Sequence, residues 1–289
     1  MKDLYRYGSF RMALALAALL LAPCAVAQPL TVTHIRPESD DDRRNAYFIT
    51  LLDLVLAKTE GAYRLQAHTT VMQQGRALEQ LRKGEGLDVV WTMTSVERER
   101  ELLPIRIPLF KGLIGTRLLL VNRADQARFA AITESGHLKA LAAGQGHDWP
   151  DTGILKHNGY AVSGSSSYAA LFKMLAKQRI DYFPRSILEI WEEAQRHAGD
   201  GLAVESALVL QYPTALYFFV NKKNTALARR LEEGLRRALA DGSFDQLFFD
   251  QFGDVIRRAR LGERTRFDLE NPSLPAQTPL DQSALWYTY

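Results

Sequence analysis

The chain has 289 residues, of which 47% are hydrophobic and 24% are charged, with a single cysteine, Cys24. That composition suits one large domain or two small ones around packed apolar cores, and it excludes a disulfide scaffold and a disordered chain. The formal charge is +3, and in the first 27 residues Lys2, Arg6 and Arg11 against Asp3 account for two of those charges, so no net field remains to gather nucleic acid.

Residues 1–27 read as a cleaved signal peptide. Met1 to Arg11 is basic, Met12 to Ala22 is apolar, and Ala25-Val26-Ala27 sets small residues where a signal peptidase cuts. The apolar run is shorter than the roughly 20 residues a bilayer span needs, so the mature chain is expected to be soluble and periplasmic. Leu21-Ala22-Pro23-Cys24 also resembles a lipoprotein box with proline in place of a small residue, which leaves lipidation through Cys24 as the alternative. Cleavage after Ala27 removes the cysteine, in keeping with an oxidising compartment.

Leu30 to Ile35 alternates as a strand does, and Pro37 with Ser39 to Asp42 signals a turn and a helix start. Tyr47, Phe48, Leu51, Leu52, Val55 and Leu56 recur at helical spacing up to Gly61, and Tyr63 to Thr70 resumes a strand pattern. A helix over Gln74 to Lys83 ends at Gly84 and Gly86 before a strand over Leu87 to Thr92. Strands alternating with helices imply a mostly parallel sheet covered on both faces, with ligands at the carboxyl ends of its strands.

Ile105 to Arg123 and Ala207 to Val220 are long extended stretches, which predicts two crossings between two lobes. The expected division is residues 28–121 with 219–289 as the first lobe and 122–218 as the second. Within the second, helices are predicted over Phe129 to Leu141, Tyr168 to Lys177 and Ile187 to His197, and strands over Tyr160 to Ser163 and Ile180 to Phe183. Ala226 to Ala240 and Phe244 to Arg258 read as amphipathic helices returning to the first lobe, and the aromatics ending the tail Asn271 to Tyr289 as packing back on the body.

Several segments carry a resemblance. Asp88-Val89-Val90-Trp91-Thr92-Met93-Thr94 leads into Val96-Glu97-Arg98 and then into Leu109 to Val121. Val162-Ser163-Gly164-Ser165-Ser166-Ser167-Tyr168 is a strand, a glycine and a hydroxyl-rich helix start, and Arg179-Ile180-Asp181-Tyr182 is a short strand. In this order they resemble the type II periplasmic solute-binding proteins, family 3-like extracellular binders similar to the polar amino-acid binders of ABC importers; Gly146 to Thr152 resembles a less characterised subgroup. The resemblance implies an α/β, two-lobed clamshell joined by two hinge strands, closing on a small solute.

It also implies a site. Arg98, just beyond a strand end, resembles the carboxylate clamp, with Arg100 as fallback and a solvated place in the run Glu97 to Glu101 as the bland reading. Thr92 and Thr94 stand where hydroxyls or amides meet a ligand, and Trp91 is either a flat platform or core. Ser165 and Ser166 precede a helix whose orphan amides suit an anion, or simply cap it. Amino-acid binders carry an acid for the ammonium where this chain has Arg185, so two arginines favour an anionic ligand. Glu38, after the first strand, is a weaker candidate for a missing negative partner.

No nucleophile elbow, Walker loop, paired metal-binding histidines or calcium loop occurs. The chain is therefore expected to be a monomeric binding protein without metal or cofactor, and not an enzyme. Its partners would be a small polar or anionic solute and an inner-membrane permease. The alternative is a sensing module read by a signalling receptor, and the remotest is a periplasmic hydrolase.

Overall fold

The computed structural model describes residues 28–36 and 45–288; the expected signal peptide, Cys24 and Glu38 lie outside the described residues. The chain begins with β1 (Leu30–His34), α1 (Ala46–Ala57), β2 (Tyr63–Ala67), α2 (Gln74–Lys83), β3 (Val90–Met93), α3 (Val96–Glu101) and β4 (Leu103–Ile105). It continues through β5 (Thr116–Asn122), α4 (Gln126–Ala130), α5 (Ser135–Lys139), β6 (Ala143–Gly146), α6 (Pro150–His157), β7 (Val162–Ser165), α7 (Tyr168–Ala176), β8 (Tyr182–Ser186) and α8 (Ile190–Arg196). Then come β9 (Leu202–Val204), β10 (Leu208–Gln211), β11 (Leu216–Val220), α9 (Thr225–Ala240), α10 (Ser243–Ala259) and β12 (Thr265–Asp268).

The first lobe is built where its apolar periods are clearest. α1 buries Tyr47, Phe48, Leu51, Leu52, Val55 and Leu56, the residues whose spacing predicts it. Its aromatics meet Phe110, Phe248 and Phe252 in one cluster. β1 and β2 pair in parallel, while β11 lies between β3 and β4 and pairs antiparallel with both. α9 comes so close to α1 that a Cβ at Gly234 would stand 2.2 Å from the Val55 carbonyl oxygen, so only glycine fits there.

The second lobe holds one sheet in the order β12-β10-β5-β8-β6-β7, with β9 also on β5. Pairs made within β-α units, β6 with β7 and β6 with β8, are parallel; those made by the crossing strand β5 are antiparallel. Sheet membership moves the expected boundaries. β5 belongs wholly to the second lobe, so the chain crosses in residues 106–115, and β11 belongs to the first, so it recrosses in residues 212–215. The reason is that β5 is buried from Thr116 to Val121, and such an apolar run reads alike in either lobe.

A third crossing is also absent from the expected plan. β12 pairs with β10 in the second sheet, and the tail then returns to the first crossing, where the Tyr287 N–H donates to the Lys111 carbonyl at 2.8 Å. Trp286 covers Gly112, whose φ of +79° suits glycine. The expected helix over Phe129 to Leu141 is instead two short ones, α4 and α5, and β6 and α6 were not foreseen.

Candidate functional site

Between the lobes lies a cavity of about 170 Å³, lined by β3, α1, α2 and Arg98 on one side and by β5, α6, β8 and Glu189 on the other. All four residues of β3 are buried. Trp91 stacks on Phe48 with ring centroids 5.3 Å apart and donates from Nε1 to Asn45 Oδ1 at 2.9 Å, so it is at once core and cavity wall.

The turn after β3 delivers Arg98. Ser95 caps α3 by accepting from the Arg98 N–H at 3.2 Å, and the Arg98 side chain folds back over β3. Its Nη1 donates to Thr92 Oγ1 at 2.7 Å and to the Met93 carbonyl at 2.8 Å; its Nη2 donates to Gln74 Oε1 at 2.8 Å and, across the cleft, to the Asp148 carbonyl at 3.2 Å. Every one of these acceptors is neutral. Burial pulls the guanidinium pKa down to about 10, against the more distant pull of Asp148 and Asp151. Arg98 remains a cation at neutral pH, buried and without a carboxylate partner among the described residues.

The second lobe carries its charges in pairs. Arg117 on β5 meets Asp151 Oδ1 at 2.6 Å, donates from Nε to Tyr212 Oη at 2.8 Å and lies 3.8 Å from Glu189. Tyr212 itself donates to Asp151. Arg185 on β8 is held by Glu193 through two parallel bonds of 2.8 and 2.7 Å and lies 3.2 Å from Glu189, while Tyr168 donates to Glu193 at 2.6 Å. The rings of Phe183 and Trp149 flank its guanidinium at 5.0 and 5.2 Å. Burial disfavours the charge, yet Glu189 and Glu193 raise the Arg185 pKa well above its ordinary value.

This geometry sorts the candidates from sequence. Arg98, Thr92, Trp91 and Arg185 share the cavity. Thr94 is corrected: its hydroxyl donates to Glu99 at 2.7 Å, which in turn holds Arg106, and it does not line the cavity. Ser165 and Ser166 border a separate recess of about 60 Å³ beyond Gln74 and Trp149. The cap of α7 is Ser167, with Ser165 bonded locally to it. Arg100 has a side chain 69% exposed beside Glu101, which leaves Arg98 as the cleft arginine of that run. The count of two excess arginines also needs correction, because Glu193 and Glu189 neutralise Arg185.

Sequence reasoning missed Arg117, Asp151, Glu189 and Trp149. One signal was present: Arg117 is a lone charge opening the apolar run Leu118 to Val121, and such a charge persists in a buried strand only when paired. Among the described residues no cluster of His, Cys, Asp or Glu is placed to hold a metal ion, and no helix is long and apolar enough to cross a membrane.

No family model and no curated protein matches the chain. Solved structures do. An ancestral arginine-binding protein bound to arginine is similar at 15% identity and a TM-score of 0.61, covering 78% of this chain and 99% of its own. A periplasmic binding protein of Salmonella typhimurium with high arginine specificity is similar at 16% identity and a TM-score of 0.59, covering 78% of this chain and all of its own. A histidine kinase sensor domain with similarity to periplasmic binding proteins reaches a TM-score of 0.58 at 14% identity over 78% of this chain and 96% of its own. Together with the two lobes, their crossings and the cleft between them, these likenesses identify the fold as the α/β clamshell of the type II periplasmic binding proteins.

Proposed function

We propose that the protein captures a small carboxylate-bearing solute between its lobes, in the periplasm, and presents the closed form to an inner-membrane importer of the ABC type. The observation that carries this reading is Arg98. A buried guanidinium without a counter-ion is unfavourable, and a carboxylate entering the cleft supplies one in the bidentate geometry that arginine and carboxylate share. Ligand binding across two lobes favours the closed state by its differential affinity, and closure is the signal a partner can read.

Delivery to a sensor instead of an importer is the second reading, supported by the likeness to a kinase sensor domain. A binder is favoured over an enzyme because the described lining residues include no Ser, Cys or His to act as nucleophile or shuttle, and the carboxylates among them each lie in an ion pair with an arginine. The test is a thermal-shift screen of the protein after denaturation and refolding, which strips bound solute. A carboxylate at about a hundred times its Kd adds about 2.7 kcal/mol to stability, which raises Tm by roughly 5–10 °C in a chain of this size. Equal shifts from the matching carboxamides, or none from any carboxylate, would refute the proposal.

A further inference from the structure

We infer that Trp149 sets the length of solute the cleft accepts, standing as a partition between the arginine-lined cavity and the hydroxyl-lined recess at the start of α7. This rests on the reading of the cavity as the site of a carboxylate-bearing solute, and it gives a role to the segment Gly146 to Thr152.

The two spaces share a wall. The cavity of about 170 Å³ holds Arg98, Arg117 and Arg185, and the recess of about 60 Å³ holds Gln73, Asp148, Ser165 and Ser166. Among the described residues, Gln74 and Trp149 alone line both. Gln74 is pinned by Arg98, whose Nη2 donates to Oε1 at 2.8 Å. Trp149 supplies the rest of the wall with its indole.

Backbone and packing fix that ring. Gly146 ends β6 and Pro150 opens α6, and in the turn between them the Trp149 N–H donates back to the Gly146 carbonyl at 3.0 Å. Thr152 Oγ1 donates to the same carbonyl at 2.8 Å. A Cβ at Gly146 would stand 2.4 Å from ring atoms of Trp149, so the indole lies directly on bare glycine backbone. It also stacks on Phe183, with centroids 6.3 Å apart and planes 21° from parallel, and the Arg185 guanidinium sits 5.2 Å from its centre. Swinging the ring aside gives up the aromatic and the cation–π contact together.

The consequence is a ceiling on one side of the solute. Ser165 and Ser166, candidates from sequence for the same ligand as Arg98, stand beyond the partition. A solute group that grows toward them meets a flat ring backed by Gly146 and Phe183, and overpacking of that kind lowers affinity about tenfold or more. Behind the ring the recess is polar, so its serines suit a hydrogen-bonding terminus once the indole is gone. The indole carries no charge. Its removal leaves Arg98, Arg117 and Arg185 balanced against Asp151, Glu189 and Glu193, so a changed length preference reports size and not charge.

The test is calorimetry on the refolded protein at pH 7 with two ladders of carboxylates: the straight dicarboxylates from malonate to suberate, and alanine, 2-aminobutyrate, norvaline and norleucine. The parent is expected to show a length beyond which affinity drops at least tenfold. Trp149→Ala, checked for folding by circular dichroism, should move that cut-off by two heavy atoms or more, with the newly admitted members gaining at least tenfold. Trp149→Phe keeps a ring on Gly146, so it folds more readily, and it should move the cut-off the same way by a smaller step. A cut-off left in place in a folded variant that still binds the short members would overturn the partition and leave the carboxylate reading intact. So would a parent that binds the longest members as tightly as the shortest. Absence of binding by every member of both ladders would overturn both readings.

Discussion

Replacing Arg98 by methionine separates what the side chain does for the fold from what it does for the ligand. In the free protein burial draws the guanidinium pKa down to about 10, a penalty on the order of 3 kcal/mol. Removing the charge relieves that penalty. Against it stands the loss of four hydrogen bonds from a charged donor to neutral acceptors, each contributing about 1.5 kcal/mol, two of which leave cavity-wall groups that water can reach. The bonds outweigh the relieved penalty by about 3 kcal/mol, so urea denaturation should show the free variant less stable than the parent by roughly that amount. Binding should behave otherwise. A buried charge pair lost from an interface costs about 3–5 kcal/mol, a drop of at least a hundredfold in affinity, read by calorimetry with whichever carboxylate the parent binds. A free variant destabilised by more than about 5 kcal/mol would mark Arg98 as a structural keystone, and retained affinity would remove it from the site.

Three further outcomes follow from packing and charge. Gly234→Ala in α9 should lower the urea midpoint by the equivalent of about 1–3 kcal/mol, because the new methyl meets the Val55 carbonyl; the gain of up to about 1 kcal/mol normal for alanine in a helix would refute that close approach. His34 is kept neutral by burial, which lowers its pKa below 6.5 despite its 2.8 Å contact with the Ile35 carbonyl. The unfolded chain then binds the extra proton, so His34 contributes stability above pH 6.5 that is lost as pH falls through its folded pKa, with a slope of at most about 1.4 kcal/mol per pH unit. His34→Asn should flatten the pH 5–7 limb of a Tm profile, and an unaltered limb would assign the slope elsewhere. Trp286→Ala should strip hydrogen-exchange protection from the Tyr287 amide that bonds Lys111, since the half-buried indole fixes the tail over the first crossing; full protection in the variant would show the tail to be held by other contacts.

Periodicity exposed most of the first lobe, because α1, α9 and α10 each bury one stripe and leave the other wet. What it could not assign was partnership. The run Leu118 to Val121 is apolar whichever sheet it joins, and only hydrogen bonding to β8 and β10 places it in the second lobe. β12 was invisible for the opposite reason: Thr265, Arg266 and Asp268 are exposed, so the strand has no apolar face to detect, and its pairing with β10 comes from the backbone. The break between α4 and α5 went unread because Ala130 and Ala131 fit a helix, while Thr133-Glu134-Ser135 begins the next one.

The site was legible in its residues and illegible in its charges. Arg98 could be found because its position depends on a local turn, Ser95 capping α3 three residues after Thr92. Arg185 could also be named, but its meaning depends on Glu189 and Glu193, which follow at intervals of four and sit on α8 and the turn before it, where their acidity looks like ordinary helix-start charge. Counting arginines alone argues for a strongly anionic ligand; set against Asp151, Glu189 and Glu193, the three buried arginines carry no net charge. The same pairing gives Arg98 a second task. With Nη2 on the Asp148 carbonyl, and Asp148 Oδ2 only 2.9 Å from where a Cβ at Gly75 would stand, Arg98 already ties the second lobe to the first through neutral contacts. On the proposed reading, a ligand carboxylate would exchange that 3.2 Å contact for an ion pair and would have to bridge the lobes in its place. Under the proposed function affinity and closure would be coupled through one side chain, and a ligand too short to reach the Asp148 loop should bind Arg98 without closing the cleft.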